Sequence, residues 1–270
     1  MKKRKKYLIL LSGALLFLLS GCGTSKITEQ TPGIWEKFVY FFGSAIKALS
    51  LGGKIGIGII IFTLIIRVIL FPLMHFQTKA MRKTQELQPQ LNKLKEKYPG
   101  KDQESRQKLN EETQKLYAES GANPAIGCLP MLVQMPILMA LYQSLSRIEG
   151  LNQGTFLWLN LGKPDHLFIL PVLAALFTFF SSWLSMKAAP EQNGMTKSMT
   201  YLMPGMIFLF SISVASGVSL YWTISNAFQV VQTLLINNPF ALKKEREEKA
   251  QAIKEKEKAK RKALKKAMKK

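Results

Sequence analysis

Histidine and cysteine are scarce in this 270-residue chain, two of each, and acids are outnumbered by bases, 17 to 38. Neither Cys22 nor Cys128 stands at a metal-ligand spacing, and two histidines cannot complete a zinc or iron set. No metal or other cofactor is implied. The same count excludes a disulfide framework, and Cys128, inside an apolar block, reads as a small packing residue. With no nucleophile–base pair in view, an enzyme is the least supported class. Asp and Glu are also missing from every long apolar block. Ion-coupled transporters usually place carboxylates at the bilayer midplane and often carry inverted repeats. Neither is found, so a small-molecule transporter or channel subunit stands only as the alternative reading.

What the chain has in quantity is apolar sequence, 47% of it, with a net charge of +21. The apolar residues are pooled in long blocks between basic stretches rather than spread at helix or strand periodicity. That segregation indicates a membrane protein.

The first block is a processing signal. Residues 2–6 are Lys-Lys-Arg-Lys-Lys and an apolar run follows over 7–19, the charged and apolar regions of a secretory signal. It ends in Leu19-Ser20-Gly21-Cys22, which resembles a bacterial lipobox, where the thiol is acylated and the chain cut before it. The expectation is a cleaved signal peptide over 1–21 and lipidation at Cys22; an ordinary signal peptide with a chance cysteine is the plainer alternative. One diacylglycerol holds a protein only moderately, so it fixes the N-terminus outside while the spans anchor the chain.

Five further blocks are long enough to cross, at about 55–74, 125–142, 167–184, 199–216 and 217–236. The last two are contiguous, and a tight turn near Ser216-Gly217 is expected because a single span would be nearly twice the required length. The connections fix orientation. Lys and Arg number ten in 76–124, two in 185–198 and fourteen after Asn237, against four in 23–54 and two in 147–166. The excess of 26 over 6 puts the long loop and the tail in the cytoplasm. An odd number of spans then needs an external N-terminus, as the lipobox does.

Outside the spans three segments have character. Ile34, Trp35, Phe38, Val39, Phe42, Ile46 and Leu49 recur at mostly three- and four-residue spacings. They predict an amphipathic helix lying in the outer interface, or packed on the outer ends of the bundle. The stretch 76–124 predicts a helical hairpin broken at Pro99-Gly100 and 121–124. Its stripes are Leu87, Leu91, Leu94 and Tyr98, then Leu109 and Leu116. It reads as a protein-binding element or as a solvated spacer. The tail from Lys243 carries fourteen bases and five acids, suited to anionic lipids or, by the same electrostatics, to ribosomal RNA.

One residue breaks the pattern. Arg67 sits in the first span, about seven residues or ~10 Å from its inner end, and no other charge stands in any span. An intramembrane Arg costs roughly 2.5–3.5 kcal/mol on insertion scales. It could snorkel to the inner headgroups, or sit in a wet recess open to the cytoplasm. Polar residues on the other spans favour a recess. Trp222, Asn226, Gln229 and Thr233 share one helix face, as do Thr178, Ser181 or Ser182, and Ser185, and Gln134 lies mid-way in the second span. Singly, such residues often only hydrogen-bond between helices.

Three segments at these positions carry a resemblance: Arg67-Val68-Ile69-Leu70-Phe71-Pro72-Leu73; Asn123-Pro124 with Gly127-Cys128-Leu129-Pro130-Met131-Leu132-Val133-Gln134-Met135-Pro136; and Leu220-Tyr221-Trp222-Thr223-Ile224-Ser225-Asn226. They resemble the YidC/Oxa/Alb family of membrane protein insertases in its Gram-positive lipoprotein form. The resemblance implies an all-α membrane protein: five transmembrane helices around a hydrophilic groove, a cytoplasmic hairpin and an external interfacial amphipathic helix. It implies segments 22–54 (external, lipid-anchored), 55–237 (insertase core) and 238–270 (basic tail), with Arg67, Gln134, Ser181, Ser182, Trp222, Asn226 and Gln229 lining the groove. Implied partners are nascent membrane proteins, the Sec translocase, the signal recognition machinery, the ribosome and anionic lipids, at the bacterial cell membrane.

Overall fold

The structure, a computed structural model, describes residues 25–100, 102–190, 194–236 and 238–267. The expected signal peptide 1–21 and the lipidation site Cys22 lie outside the described residues. Among those described, the helices are α1 (Ile34–Ala48), α2 (Ile55–Glu86), α3 (Gln88–Lys97), α4 (Gln103–Ser120), α5 (Leu129–Arg147), α6 (Ile169–Ala188), α7 (Gly194–Ser213), α8 (Ser216–Ile236) and α9 (Pro239–Ala267). A two-stranded hairpin, β1 (Thr155–Phe156) and β2 (Leu159–Asn160), pairs antiparallel with Phe156 opposite Leu159. Three helical stretches among the described residues are long and apolar enough to cross a membrane: Ile55–Lys97, Pro124–Arg147 and Ile169–Ala188. The blocks at 199–216 and 217–236 form α7 and α8, of 20 and 21 residues.

The helix that carries the first apolar block does not stop at Met74. α2 continues to Glu86, 32 residues in all, or about 48 Å at 1.5 Å per residue. Most residues after Pro72 are good helix formers and no Gly intervenes, so the helix runs on towards the hairpin. Pro72 itself removes one N–H bond without ending the helix.

The chain divides into two compact units. The first comprises Met1–Leu70, Cys128–Ala174 and Phe208–Ser225, the second Phe71–Gly127, Ala175–Ile207 and Asn226–Lys270. In the first unit α1 packs along α5 with Trp35, Val39, Phe42 and Ile46 buried, and the Phe42 and Phe62 rings meet edge-on at 4.9 Å. The apolar face predicted for this helix therefore covers protein, although Ile34 at its start is 89% exposed. Gly58 makes the approach of α1 to α2 feasible, since a Cβ there would lie 2.3 Å from the Ile46 carbonyl oxygen.

The start of α8 is bound to the segment after β2. Ser216 N–H donates to the Lys163 carbonyl at 2.7 Å, its hydroxyl to the Asn160 carbonyl at 2.6 Å, and Gly217 N–H to the Leu161 carbonyl at 3.1 Å. α7 ends at Ser213, so the turn falls over Val214 and Ala215, just ahead of the expected Ser216-Gly217. Gly217 has no room for a side chain: a Cβ would sit 2.9 Å from Leu145 Cδ1.

Two charges assigned to loops by sequence are buried. Arg147, 7% exposed, donates from Nε to the Ser25 carbonyl at 2.8 Å and from Nη1 to Gln143 Oε1 at 2.6 Å. Its own carbonyl accepts from Ile27 N–H at 3.0 Å, so the segment around 25–27 is docked on the end of α5. Asp165, 2% exposed, accepts from Trp158 Nε1 at 3.1 Å and from the backbone N–H of Leu167 at 3.1 Å and of Leu170 at 2.8 Å.

In the second unit α3 and α4 form the hairpin expected over 76–124. Leu87, Leu91 and Ala122 make its small core, with Leu116 and Tyr117 packed on it. Asp102 caps α4 by accepting from Ser105 N–H at 2.6 Å. The first turns of α9 are tied to α6, Arg246 donating to the Ala188 carbonyl and the Phe240 ring lying 6.4 Å from Trp183. Beyond Arg246 the helix is exposed through Lys262.

Candidate functional site

On α2, the side chains around Arg67 sort into two faces. Ile59, Phe62 and Thr63 are buried, and Ile66 and Leu70 are partly so. Leu64, Ile65, Val68 and Ile69 are 39–64% exposed. Arg67, half-buried, stands one turn after the buried Thr63 and one turn before Phe71, 37% exposed, at the edge of the buried face. Thr63 is fully buried and returns its hydroxyl to the Ile59 carbonyl at 2.6 Å, the usual way an intrahelical threonine satisfies itself.

Arg67 is half-buried and forms neither an ion pair nor a hydrogen bond among the described residues. Its electrostatic neighbour is the phenol of Tyr221 on α8. Tyr221 is 2% exposed, and its hydroxyl accepts from Gln134 Nε2 of α5 at 2.8 Å. Three helices thus bring a guanidinium, a phenol and an amide into one region of the first unit. Gln134 and Arg67 were expected from sequence; Tyr221 was not assigned a role. Its signal was present, since a tyrosine inside an apolar span needs a partner for its hydroxyl.

Trp222, the next residue, is half-buried and its ring lies 5.5 Å from that of Phe210 on α7. In the second unit, Asn226 Nδ2 donates to Thr178 Oγ1 at 3.0 Å, joining α8 to α6. The serines expected beside it are largely self-contained. Ser181 donates to the Thr178 carbonyl at 3.1 Å and Ser185 to the Ser181 carbonyl at 2.9 Å. Ser182 and Gln229 are half-buried, and the Gln229 carbonyl accepts from the Thr233 hydroxyl at 2.8 Å. The polar residues named from sequence therefore fall into two local sets. One is built on Arg67, Gln134 and Tyr221, with Trp222 following in sequence, and the other on Thr178, Ser181 and Asn226.

The first set can bind an anion through an unpaired cation, with a phenol in electrostatic reach. It contains no acid, thiol or imidazole to break a bond. No group of three or more His, Cys, Asp or Glu is placed to hold a metal ion among the described residues.

Comparison with known proteins gives consistent matches. The family model described as 60Kd inner membrane protein matches residues 47–245. The chain is 59% identical over 260 residues to the membrane protein insertase YidC of Enterococcus faecalis, covering 95% of this chain and 94% of that protein. It is 54% identical over 268 residues to membrane protein insertase YidC 1 of Lactococcus lactis subsp. lactis, covering 99% and 100%. Among solved structures, a crystal structure of an active YidC insertase with its first transmembrane domain resolved matches with a TM-score of 0.58 and 31% identity. That match covers 75% of this chain and 46% of the other.

Proposed function

This chain belongs to the YidC family of membrane protein insertases, and from that premise we propose that Arg67 is the charge by which it takes hold of its clients. The observation that carries the reading is Arg67 itself, half-buried at the edge of the packed face of α2 and without a carboxylate partner among the described residues. Even half-buried, a cation in a membrane span without a counter-ion is costly. The cost is offset when an acidic side chain in the tail or hairpin of an incoming chain reaches the guanidinium. That encounter shortens the path of the client's polar end through hydrocarbon, while its apolar segment moves into lipid. No covalent step is involved.

Around this centre the finer architecture is part of the same reading. Five spans cross the membrane, at about 55–74, 125–142, 167–184, 199–216 and 217–236. The mature N-terminus is outside and acylated at Cys22; the hairpin 76–124 and the tail 238–270 are cytoplasmic. The Lys and Arg distribution supports this orientation. The hairpin and tail are the surfaces for the Sec translocase, signal recognition machinery, ribosome and anionic lipid. Gln134 on α5 and Trp222 on α8 are read as client contacts beside Arg67, and Ser182, Asn226 and Gln229 as client contacts of the second unit; the Ser181 hydroxyl is held by the Thr178 carbonyl.

The test is a pair of substitutions, Arg67→Lys and Arg67→Ala, assayed for insertion of one client with an acidic tail and of the same client with the acids neutralised. Charge attraction predicts that Lys supports the acidic client and Ala does not, with the neutral client less affected. Equal performance of Lys and Ala on the acidic client would remove charge from the mechanism.

A further inference from the structure

The segment between α5 and α6 places large apolar side chains in backbone conformations that oppose them. Leu157 and Phe168 are the non-glycine residues at positive φ among the described residues, at 55° and 57°. Side chains with a Cβ are disfavoured in this region, and a two-residue hairpin turn with positive φ at its first position prefers Gly or Asn. Leu157 occupies that position between β1 and β2, and is 74% exposed. Phe168 is 47% exposed and Leu167 50%. In water this would combine backbone strain with exposed apolar surface, and neither would stabilise the other.

The surroundings say what covers them. Leu167 and Phe168 run directly into α6, an apolar helix long enough to span, whose first turn exposes Ile169 and Val172 at 38% and 52%. The hairpin tip is held at the level of that turn by one carboxylate. Asp165 binds Trp158 Nε1 beside the tip and the N–H groups of Leu167 and Leu170. A second set of bonds, from Ser216 and Gly217 to the carbonyls of Asn160, Leu161 and Lys163, fixes the base of the same segment to α8. The tip therefore cannot swing away from the apolar face it continues.

We propose that the β1–β2 tip is a lipid wedge: Leu157 inserts among the acyl chains beside Leu167 and Phe168, which open the span read at 167–184, and Asp165 latches the tip in place. Insertion removes the apolar surface from water and gives the strained conformations their compensation. It extends the hydrocarbon contact of α6 beyond the helix itself and fixes the depth of this end of the molecule.

Photo-reactive phenylalanine is placed at position 157, 168, 172 or 153 of the full-length protein in phosphatidylglycerol–phosphatidylethanolamine vesicles, and phospholipid adducts are read by intact mass. Val172 is the lipid-facing reference and the exposed polar Gln153 the aqueous one. Adduct yields at 157 and 168 should approach that at 172 and exceed that at 153, as expected for groups within acyl chains. Yields at 157 no higher than at 153 overturn the wedge, and so do adducts to protein in place of lipid. Absence of lipid adducts at 172 would overturn the lipid-facing assignment of this end of α6 and the proposal with it. Adding Trp158→Phe, which removes the indole bond to Asp165 and leaves the bonds to Leu167 and Leu170 in place, should lower the yield at 157 towards that at 153 and leave 172 unchanged; an unchanged yield at 157 refutes the latch.

Discussion

Asp165 offers a sharp test of how this end of the molecule is held. Replacing it by Ala removes one acceptor group and strands three N–H donors. Leu170 N–H opens α6 in a buried position, Trp158 Nε1 is partly buried, and Leu167 N–H lies between them. Loss of a helix cap costs typically about 1 kcal/mol and up to about 2. Each buried donor left unpaired adds about 1–3 kcal/mol, less where water can reach it. With Leu170 counted in full and the others discounted, Asp165→Ala should destabilise the protein by about 3–5 kcal/mol. That is a large share of a typical stability of about 5–15 kcal/mol. Asp165→Asn keeps one acceptor oxygen but gives up the charge and turns an NH2 onto the donor on the other side, so about 1–3 kcal/mol is expected. The assay is SDS-driven unfolding of the purified protein in mixed micelles, followed by tryptophan fluorescence. A cycle with Trp158→Phe isolates the indole bond, whose coupling should be about 0.5–1.5 kcal/mol. A loss below about 1 kcal/mol for Asp165→Ala would show that water satisfies these donors, and the reasoning would fail.

Other consequences are more local. Gly58→Val should cost about 1–3 kcal/mol or prevent folding, because its Cβ meets the backbone oxygen of Ile46, which has no rotamer by which to escape; the same unfolding assay decides it. Leu91→Ala should open the hairpin core by about 2–3 kcal/mol, seen as faster amide exchange in α4 with α5 unchanged. At the start of α9, Lys249 holds the Glu245 carboxyl below its ordinary range by hydrogen bond and charge, and Glu245 raises Lys249 in return. The contribution of this pair is present between the two ordinary values. It fades as pH falls below about 4.3 through the lowered carboxyl value, and as pH rises above about 10.4 through the raised amine value. Carboxyl titration by NMR should find Glu245 returned to the ordinary range in Lys249→Ala; an unchanged midpoint would exclude the pair as the cause.

How far these features were legible in the sequence depended on whether their partners were near in the chain. The α1 stripe was readable because Trp35, Val39, Phe42 and Ile46 repeat at helical spacing, and all four are buried. The hairpin was readable from Pro99-Gly100 and from Leu87 and Leu91 one turn apart. Arg147 looked like a loop charge because its partner Ser25 lies 122 residues away. Asp165 looked like part of a polar connection, since nothing in sequence links it to an indole seven residues earlier and an amide five later. Serine spacing on α6 suggested a polar lining, but Ser181 and Ser185 turn their hydroxyls to the carbonyls of their own helix. Periodicity shows the face a residue occupies; it does not show where a hydroxyl finds its acceptor. Arg67 was legible as an anomaly, and its place at the edge of the packed face of α2, near Tyr221, came only with the structure.

The most direct test of Arg67 as the receiving charge follows the carboxylate itself. A client is stalled during insertion with a photo-crosslinker beside the acidic residue of its tail, and adducts are mapped by peptide mass. The account predicts adducts on α2 within about one turn of Arg67 and at Tyr221, which are lost when the neighbouring acid is changed to its amide or when Arg67 is changed to Ala. An adduct pattern that is the same with and without the carboxylate would contradict it.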